Sequence, residues 1–145
     1  ELKPVSKVAS GGELSRIALA LKTIDAQIDS NGVMIFDEID TGIGGKTAQM
    51  VADKIAIVAK HKQILCITHL PQIACMADQH IYIKKQVEGK RTNTIITILS
   101  LEEQLLELTR MISGNEITQI ALDNAKQMRR AAAHKKKQWE NKIQA

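Results

Sequence analysis

Apolar residues at Ile17, Leu21, Ile24 and Ile28 recur at the spacing of one helical face, with Leu14, Ala18 and Ala20 beside them. They predict a helix that starts after Ser10 and stops near Asn31-Gly32. The pattern then changes. Val33-Met34-Ile35-Phe36 is apolar at every position up to Asp37, as in a strand buried on both faces of a parallel sheet. Gly42, Gly44 and Gly45 mark a turn, after which Val51, Ile55 and Val58 restore the helical period over residues 46–60. A second apolar run, residues 63–68, predicts another buried strand.

This β-α-β order predicts a right-handed parallel crossover, the unit of α/β nucleotide-binding domains. After His69 and Pro71 a short helix is expected from Ile73 to Ala77, and residues 80–87 and 92–99 flank Glu88-Gly89-Lys90 as a β-hairpin. Ser100 and Glu103 match the capping box of a helix that ends before Gly114. A last helix is expected from Ile117 to the low 140s, amphipathic at first and then increasingly basic. The expected fold class is therefore α/β, with parallel strands flanked by helices, then a β-hairpin and C-terminal helices. Residues 1–9, with Pro4 and no period, read as a lead-in segment, residues 10–125 as the core and residues 126–145 as a basic C-terminal helix.

At 145 residues, 44% hydrophobic and 25% charged, the chain suits one globular domain with a real core. Its apolar stretches break well short of the roughly 18–20 residues that span a bilayer, so no membrane partner is expected. It opens on Glu1 rather than Met, which fits a piece of a longer protein. Cys66 and Cys75 make no disulfide scaffold and fit a reducing cytoplasm. The C-x-x-H spacing of Cys66 and His69 lacks the second ligand pair of a structural zinc site. Charge is uneven: residues 126–145 carry a net +6 and residues 1–125 a net −2. A basic tail can attract DNA phosphates, but a run such as Lys135-Lys136-Lys137 is more often the solvated face of a helix. With Phe36, Tyr82 and Trp139 as the only aromatic residues, base stacking can add little.

The chemistry gathers in three segments. Ser10 and Glu13 have the spacing of a helix capping box, a purely structural reading. That reading leaves Gly11 and Gly12 unexplained, since each glycine costs a helix up to about 1 kcal/mol relative to alanine. Glycines there let a phosphate approach the amides at the positive end of the helix. Asp37 and Glu38 stand just past a strand, where open α/β sheets bind ligands. An aspartate so placed can hold Mg²⁺, and the neighbouring glutamate can orient or deprotonate an attacking water. Two acids capping the next helix would look the same. His69 ends the second strand and could reach the same ligand, although a lone strand-end histidine is more often structural. Gly45-Lys46-Thr47 mimics the end of a phosphate-binding loop, but the glycine that loop needs five residues before Gly45 is Asp40, so Lys46 reads as a helix-start residue. No Gly-x-x-x-x-Gly-Lys-Ser/Thr loop occurs in the chain.

In this order the stretches Val8-Ala9-Ser10-Gly11-Gly12-Glu13-Leu14-Ser15-Arg16, Phe36-Asp37-Glu38-Ile39-Asp40-Thr41-Gly42-Ile43-Gly44-Gly45 and Ile67-Thr68-His69-Leu70-Pro71-Gln72-Ile73-Ala74 resemble the ABC-type ATPases. They correspond to the signature motif, the Walker B strand with its D-loop, and the switch histidine. Glu13, where transporters usually carry Gln, and the lack of membrane sequence point to the SMC-like branch of chromosome maintenance and repair. The resemblance covers most of residues 5–125 and is weakest in the tail. It implies the C-terminal lobe of a split head whose N-terminal lobe carries the Walker A loop, the lobes being joined by a coiled coil. It implies ATP and Mg²⁺ as cofactors, a second head as homodimeric partner, DNA as a further partner, and a cytoplasmic, nucleoid-associated location.

By the same resemblance Ser10, Gly11, Gly12 and Glu13 would face the nucleotide held by the second head. Asp37 would serve Mg²⁺ directly or through water, Glu38 would be the catalytic base, Asp40 would belong to the D-loop and His69 would sense the γ-phosphate. The implied work is recombinational repair of DNA double-strand breaks, with ATP-driven head dimerisation gating DNA tethering. The full-length protein would be an ATPase, whereas this chain without Walker A would be inactive or nearly so. Two rival readings are a DNA-contacting module centred on the basic helix and a dimerisation module that binds ATP without turnover. Glu38 disfavours the second; Glu13 and Asp40-Thr41-Gly42 disfavour a transporter.

Overall fold

The computed structural model describes residues 3–4, 7–25, 32–89, 91–114 and 116–143. Its elements are α1 (Gly11–Asp25), β1 (Val33–Phe36), α2 (Gly45–Val58), β2 (Gln63–Cys66), α3 (Pro71–Ala74), β3 (Ile81–Glu88), β4 (Arg91–Ile98), α4 (Leu101–Ser113) and α5 (Gln119–Ile143). The fold class is α/β. The element order agrees with the sequence pattern, and α2 starts at Gly45, so Lys46 is a helix-start residue. The expected end of the first helix and Ile28 lie outside the described residues.

β1 and β2 pair in parallel, Val33 opposite Gln63 and Phe36 opposite Cys66. The amide of Ile67 carries the ladder one step further by donating to the carbonyl of Phe36 at 2.9 Å. β3 and β4 form the antiparallel hairpin, Ile81 opposite Ile98 and Glu88 opposite Arg91. Gly89, at φ 63°, supplies the left-handed backbone of its turn.

The core lies between α2 and one face of the parallel pair. Phe36, Ile39, Val51, Ala52, Ile55, Ala56 and Val58 are buried there with Leu19, Ile73, Met76 and Ala132, while Met34, Ile64, Cys66 and Trp139 pack against them. A satellite cluster of Ala74, Leu108 and Ala125 ties α3, α4 and α5 together. Ser100 caps α4 with both halves of the expected capping box, and Gly114 closes it at φ 74°.

Three expectations need correction. The strands are not buried on both faces: the pleat turns Met34, Phe36, Ile64 and Cys66 inward, whereas Val33, Ile35, Leu65 and Ile67 stay exposed. Likewise α1 buries Leu19, and the apolar face read from the sequence, Leu14, Ile17, Leu21 and Ile24, is exposed. Period identifies a face that needs covering but does not say which chain segment covers it. The basic tail departs from expectation too. Lys135 bonds Asp53 of α2, Lys136 bonds Asp78 after α3, and Ala132 and Trp139 enter the core, so α5 is a strap across the domain and Lys135 and Lys136 are not part of a solvated face.

Candidate functional site

The turn of residues 37–41 leaves β1 and meets the start of α1. Glu38 sits in the left-handed region at φ 58°, which a residue with a Cβ adopts at a cost of about 1–2 kcal/mol. Thr41 closes the turn by donating its amide to the carbonyl of Glu38 at 3.1 Å. Strain of this kind persists where surrounding contacts over-determine it, and α1 provides them. Arg16 donates through Nη1 to the carbonyls of Ile39 at 3.1 Å and Thr41 at 3.0 Å, and the hydroxyl of Ser15 donates to the carbonyl of Asp37 at 3.3 Å.

This docking explains Gly12. A Cβ on Gly12 would stand 2.7 Å from the carbonyl oxygen of Glu38, and one on Gly11 would stand 3.0 Å from Glu38 Oε2. The sequence suggests that glycine admits a phosphate; within the chain it also admits the turn of residues 38–41. Gly12 is buried beneath that turn, while Gly11 is exposed at the tip of the helix.

The Ser10-Glu13 capping box is formed. The amide of Ser10 donates to Glu13 Oε2 at 2.8 Å, and the amide of Glu13 donates to Ser10 Oγ at 3.3 Å. The bonds that Ser10 donates to the Glu13 carboxyl, from its amide first and, at 3.1 Å, from its hydroxyl second, hold that carboxyl below its ordinary range. Beside it an open groove of about 490 Å³ runs along α1 between Val8, Ala9, Glu13, Arg16, Ile17 and Ala20.

Asp40 is the buried acid of the turn, 3% exposed. Its Oδ2 accepts from Thr68 Oγ1 at 2.6 Å and from the amide of His69 at 2.9 Å, and it lies 3.1 Å from His69 Nδ1. Burial pushes this carboxyl up; the bonds from Thr68 and His69 outweigh burial and leave it below the ordinary value. His69 thus joins the turn through Asp40, with its imidazole 72% exposed. Asp37 and Glu38 present exposed carboxylates on the same turn.

The structure therefore brings Ser10, Gly11, Gly12, Glu13, Asp37, Glu38, Asp40 and His69 to one end of the parallel pair. Paired exposed carboxylates at a strand end provide the hard oxygen donors that Mg²⁺ prefers, and Gly11 leaves the leading amides of α1 open to an anion. Burial, with the charges of Asp40 and Asp37, pushes the Cys66 thiol up to about 11. The sequence gives Arg16 and Thr68 no role.

No family model matches the chain. It is 49% identical over 127 residues to a protein of Halalkalibacterium halodurans called DNA repair protein RecN, covering 88% of this chain and 22% of that one. It is 49% identical over 131 residues to the Bacillus subtilis protein of the same name, covering 90% and 23%. The Treponema pallidum protein of that name is 44% identical over 135 residues, covering 93% and 24%. A solved structure described as "Structural biochemistry of ATP-driven dimerization and DNA stimulated activation of SMC ATPases" aligns with a TM-score of 0.49 at 24% identity, covering 76% of this chain and 66% of that one. The chain spans about a quarter of the length of the curated relatives it matches. Over that stretch the chain is similar to the RecN proteins.

Proposed function

We propose that the chain is the C-terminal lobe of a split ATP-hydrolysing head in a RecN-like protein of recombinational DNA double-strand-break repair. One observation carries this reading: a glycine-fronted helix start, an exposed acid pair and a strand-end histidine converge on a single turn, locked by Arg16 and Asp40. An N-terminal lobe with the Walker A loop would complete the nucleotide site, and a second head would receive Ser10, Gly11, Gly12 and Glu13.

In such a head Asp37 would hold Mg²⁺, directly or through water, and Glu38 would take the proton of the attacking water. Bound Mg²⁺ supplies charge neutralisation at the phosphates. Asp40 lies in the stretch corresponding to the D-loop, and His69 would meet the γ-phosphate. ATP between two heads favours the closed pair, and its hydrolysis removes that bias. Closure and opening would gate DNA tethering in the cytoplasm, at the nucleoid. A DNA-contacting role centred on Lys135-Lys136-Lys137 is less well supported, because two of these lysines are committed to Asp53 and Asp78.

Steady-state ATP hydrolysis by this chain combined with its Walker A lobe tests the reading. The native pair should turn over ATP, Glu38→Gln should bind ATP without turnover, and this chain alone should be inactive or nearly so. Binding without turnover by the native pair would instead favour the dimerisation module.

A further inference from the structure

Alternate carbonyls of the turn, those of Asp37, Ile39 and Thr41, all end on side chains of α1, the first on the Ser15 hydroxyl and the other two on Nη1 of Arg16. The carbonyl of Glu38, between them, accepts from the amide of Thr41. Ser15 and Arg16 stand one helical turn beyond Gly12, on the same face of α1. A Cβ on Gly12 would lie 3.1 Å from Arg16 Nη1 as well as 2.7 Å from the Glu38 carbonyl oxygen, so the guanidinium lies in the crevice between helix and turn. Just past Glu38 the chain is anchored, with Ile39 fully buried and Asp40 3% exposed. Glu38 is therefore the joint between β1 and a clamped loop, and the peptide groups on either side set its left-handed backbone. That backbone is unfavourable by itself for a residue with a Cβ, and it relaxes unless those peptides are held.

We propose that Arg16 is a positioning residue for Glu38. By holding the carbonyls of Ile39 and Thr41 it keeps Glu38 left-handed and its carboxylate over the start of α1, where Oε2 would stand 3.0 Å from a Cβ on Gly11. Arg16 touches no reacting atom and acts through the backbone that carries the acid. The hold on the turn is independent of the ATPase reading; its effect on turnover rests on that reading, in which Glu38 must stand within hydrogen-bond reach of the attacking water. Both bonds leave from one nitrogen, so they need a single group with two hydrogens rather than the whole guanidinium fork. A lysine ammonium, with three hydrogens on one nitrogen, can serve the same carbonyls from a side chain one bond shorter.

Hydrogen exchange in this chain, resolved over residues 37–43, tests the hold. Arg16→Met removes both donors and should speed exchange of the Thr41 amide by about 10-fold or more, while the amides of α4 keep their native rates. Arg16→Lys should lie between Arg16→Met and the native chain. Unchanged exchange at Thr41 in Arg16→Met overturns the proposal. Should Arg16→Met unfold the chain, exchange rises through α4 as well, and Arg16→Gln, too short to reach both carbonyls, is read in its place with the same expectation.

In the head completed by its Walker A lobe, Arg16→Met should lower kcat per ATP-binding head by about 10- to 100-fold with little change in KM for ATP. Arg16→Lys should recover much of that loss. Native turnover that Arg16→Met leaves unchanged also overturns the proposal. Faster exchange at Thr41 in a head whose native form shows no turnover would remove the ATPase reading and keep the hold of Arg16 on the turn. Native turnover with Thr41 exchange indifferent to Arg16→Met would do the reverse.

Discussion

Lys135 Nζ lies 2.7 Å from Asp53 Oδ2, joining the C-terminal helix to α2 across 82 positions of sequence. Asp53 Oδ1 also accepts from Gln49 at 2.8 Å, so the carboxylate is held from two sides. Lys135→Met should lower the stability of the chain by about 0.5–1 kcal/mol, the scale of a partly exposed ion pair. Lys137→Met, on the exposed side of the helix, should change nothing measurable. Urea unfolding followed by the fluorescence of Trp139, the chain's one tryptophan, reads both.

Gly11 and Gly12 should respond oppositely to alanine. At Gly12 the new methyl meets the backbone oxygen of Glu38 at 2.7 Å, and the turn must give way, at about 1–3 kcal/mol of overpacking. At Gly11 it meets only the end of the Glu38 side chain at 3.0 Å, which can swing aside. Alanine there also favours the helix, by up to about 1 kcal/mol. Gly12→Ala should therefore lower the thermal midpoint, whereas Gly11→Ala should hold or raise it while moving the Glu38 carboxylate. Paired melting curves check the sign.

The left-handed backbone of Glu38 makes a stability prediction independent of any ligand. Asparagine tolerates that region better than glutamate. Glu38→Asn should stabilise the chain by a few tenths to about 1 kcal/mol, and Glu38→Gln, with the same backbone cost, should leave stability unchanged. A destabilised Glu38→Asn in urea titration would mean that the side chain, rather than the backbone, decides the energy of the turn.

Among the described residues three carboxyls are held below their ordinary values: Asp40 by the bonds from Thr68 and His69 that outweigh its burial, and Glu13 and Glu103 by the Ser10 and Ser100 caps. For a lowered folded value the stabilisation is present in full above the ordinary 3.8 of an aspartate and 4.5 of a glutamate, and it is lost as pH falls through the folded value. Thermal midpoints should be flat with respect to these groups near neutrality and fall below about pH 4.5. Ser100→Ala, which removes the hydroxyl half of one cap, should make that acid decline shallower.

What the sequence disclosed and what it hid follow one physical line. Signals carried by neighbouring residues were legible: the capping box at Ser100 and Glu103, the stop at Gly114, the Gly89 turn, and the parallel strands delivering Asp37, Glu38 and His69 to one edge. Contacts between distant segments were not. Nothing local tells that Arg16 reaches Ile39 and Thr41, that Asp40 is buried under His69, or that Lys135 and Lys136 fold back onto acids. The second reason for Gly12, the close passage of residues 38–41, is likewise a tertiary fact.

The apolar surface left open on α1 and on the outer face of the parallel pair sets the behaviour of the chain by itself. Ile17, Leu21 and Ile24 are 48%, 62% and 80% exposed, and Ile35 and Ile67 are 69% and 59% exposed. Contiguous apolar surface of this kind drives association, because covering it releases about 25 cal/mol per Å². The isolated chain should therefore self-associate at micromolar concentration in sedimentation experiments. Leu21→Lys with Ile24→Glu should restore the monomer without lowering its thermal midpoint, since neither side chain reaches the core. On the proposed reading, adding a Walker A lobe should suppress the self-association of the unsubstituted chain, since both would compete for the same faces. Self-association untouched by either change would assign it instead to the hairpin, where Ile81, Ile83, Ile96 and Ile98 form the other exposed apolar face.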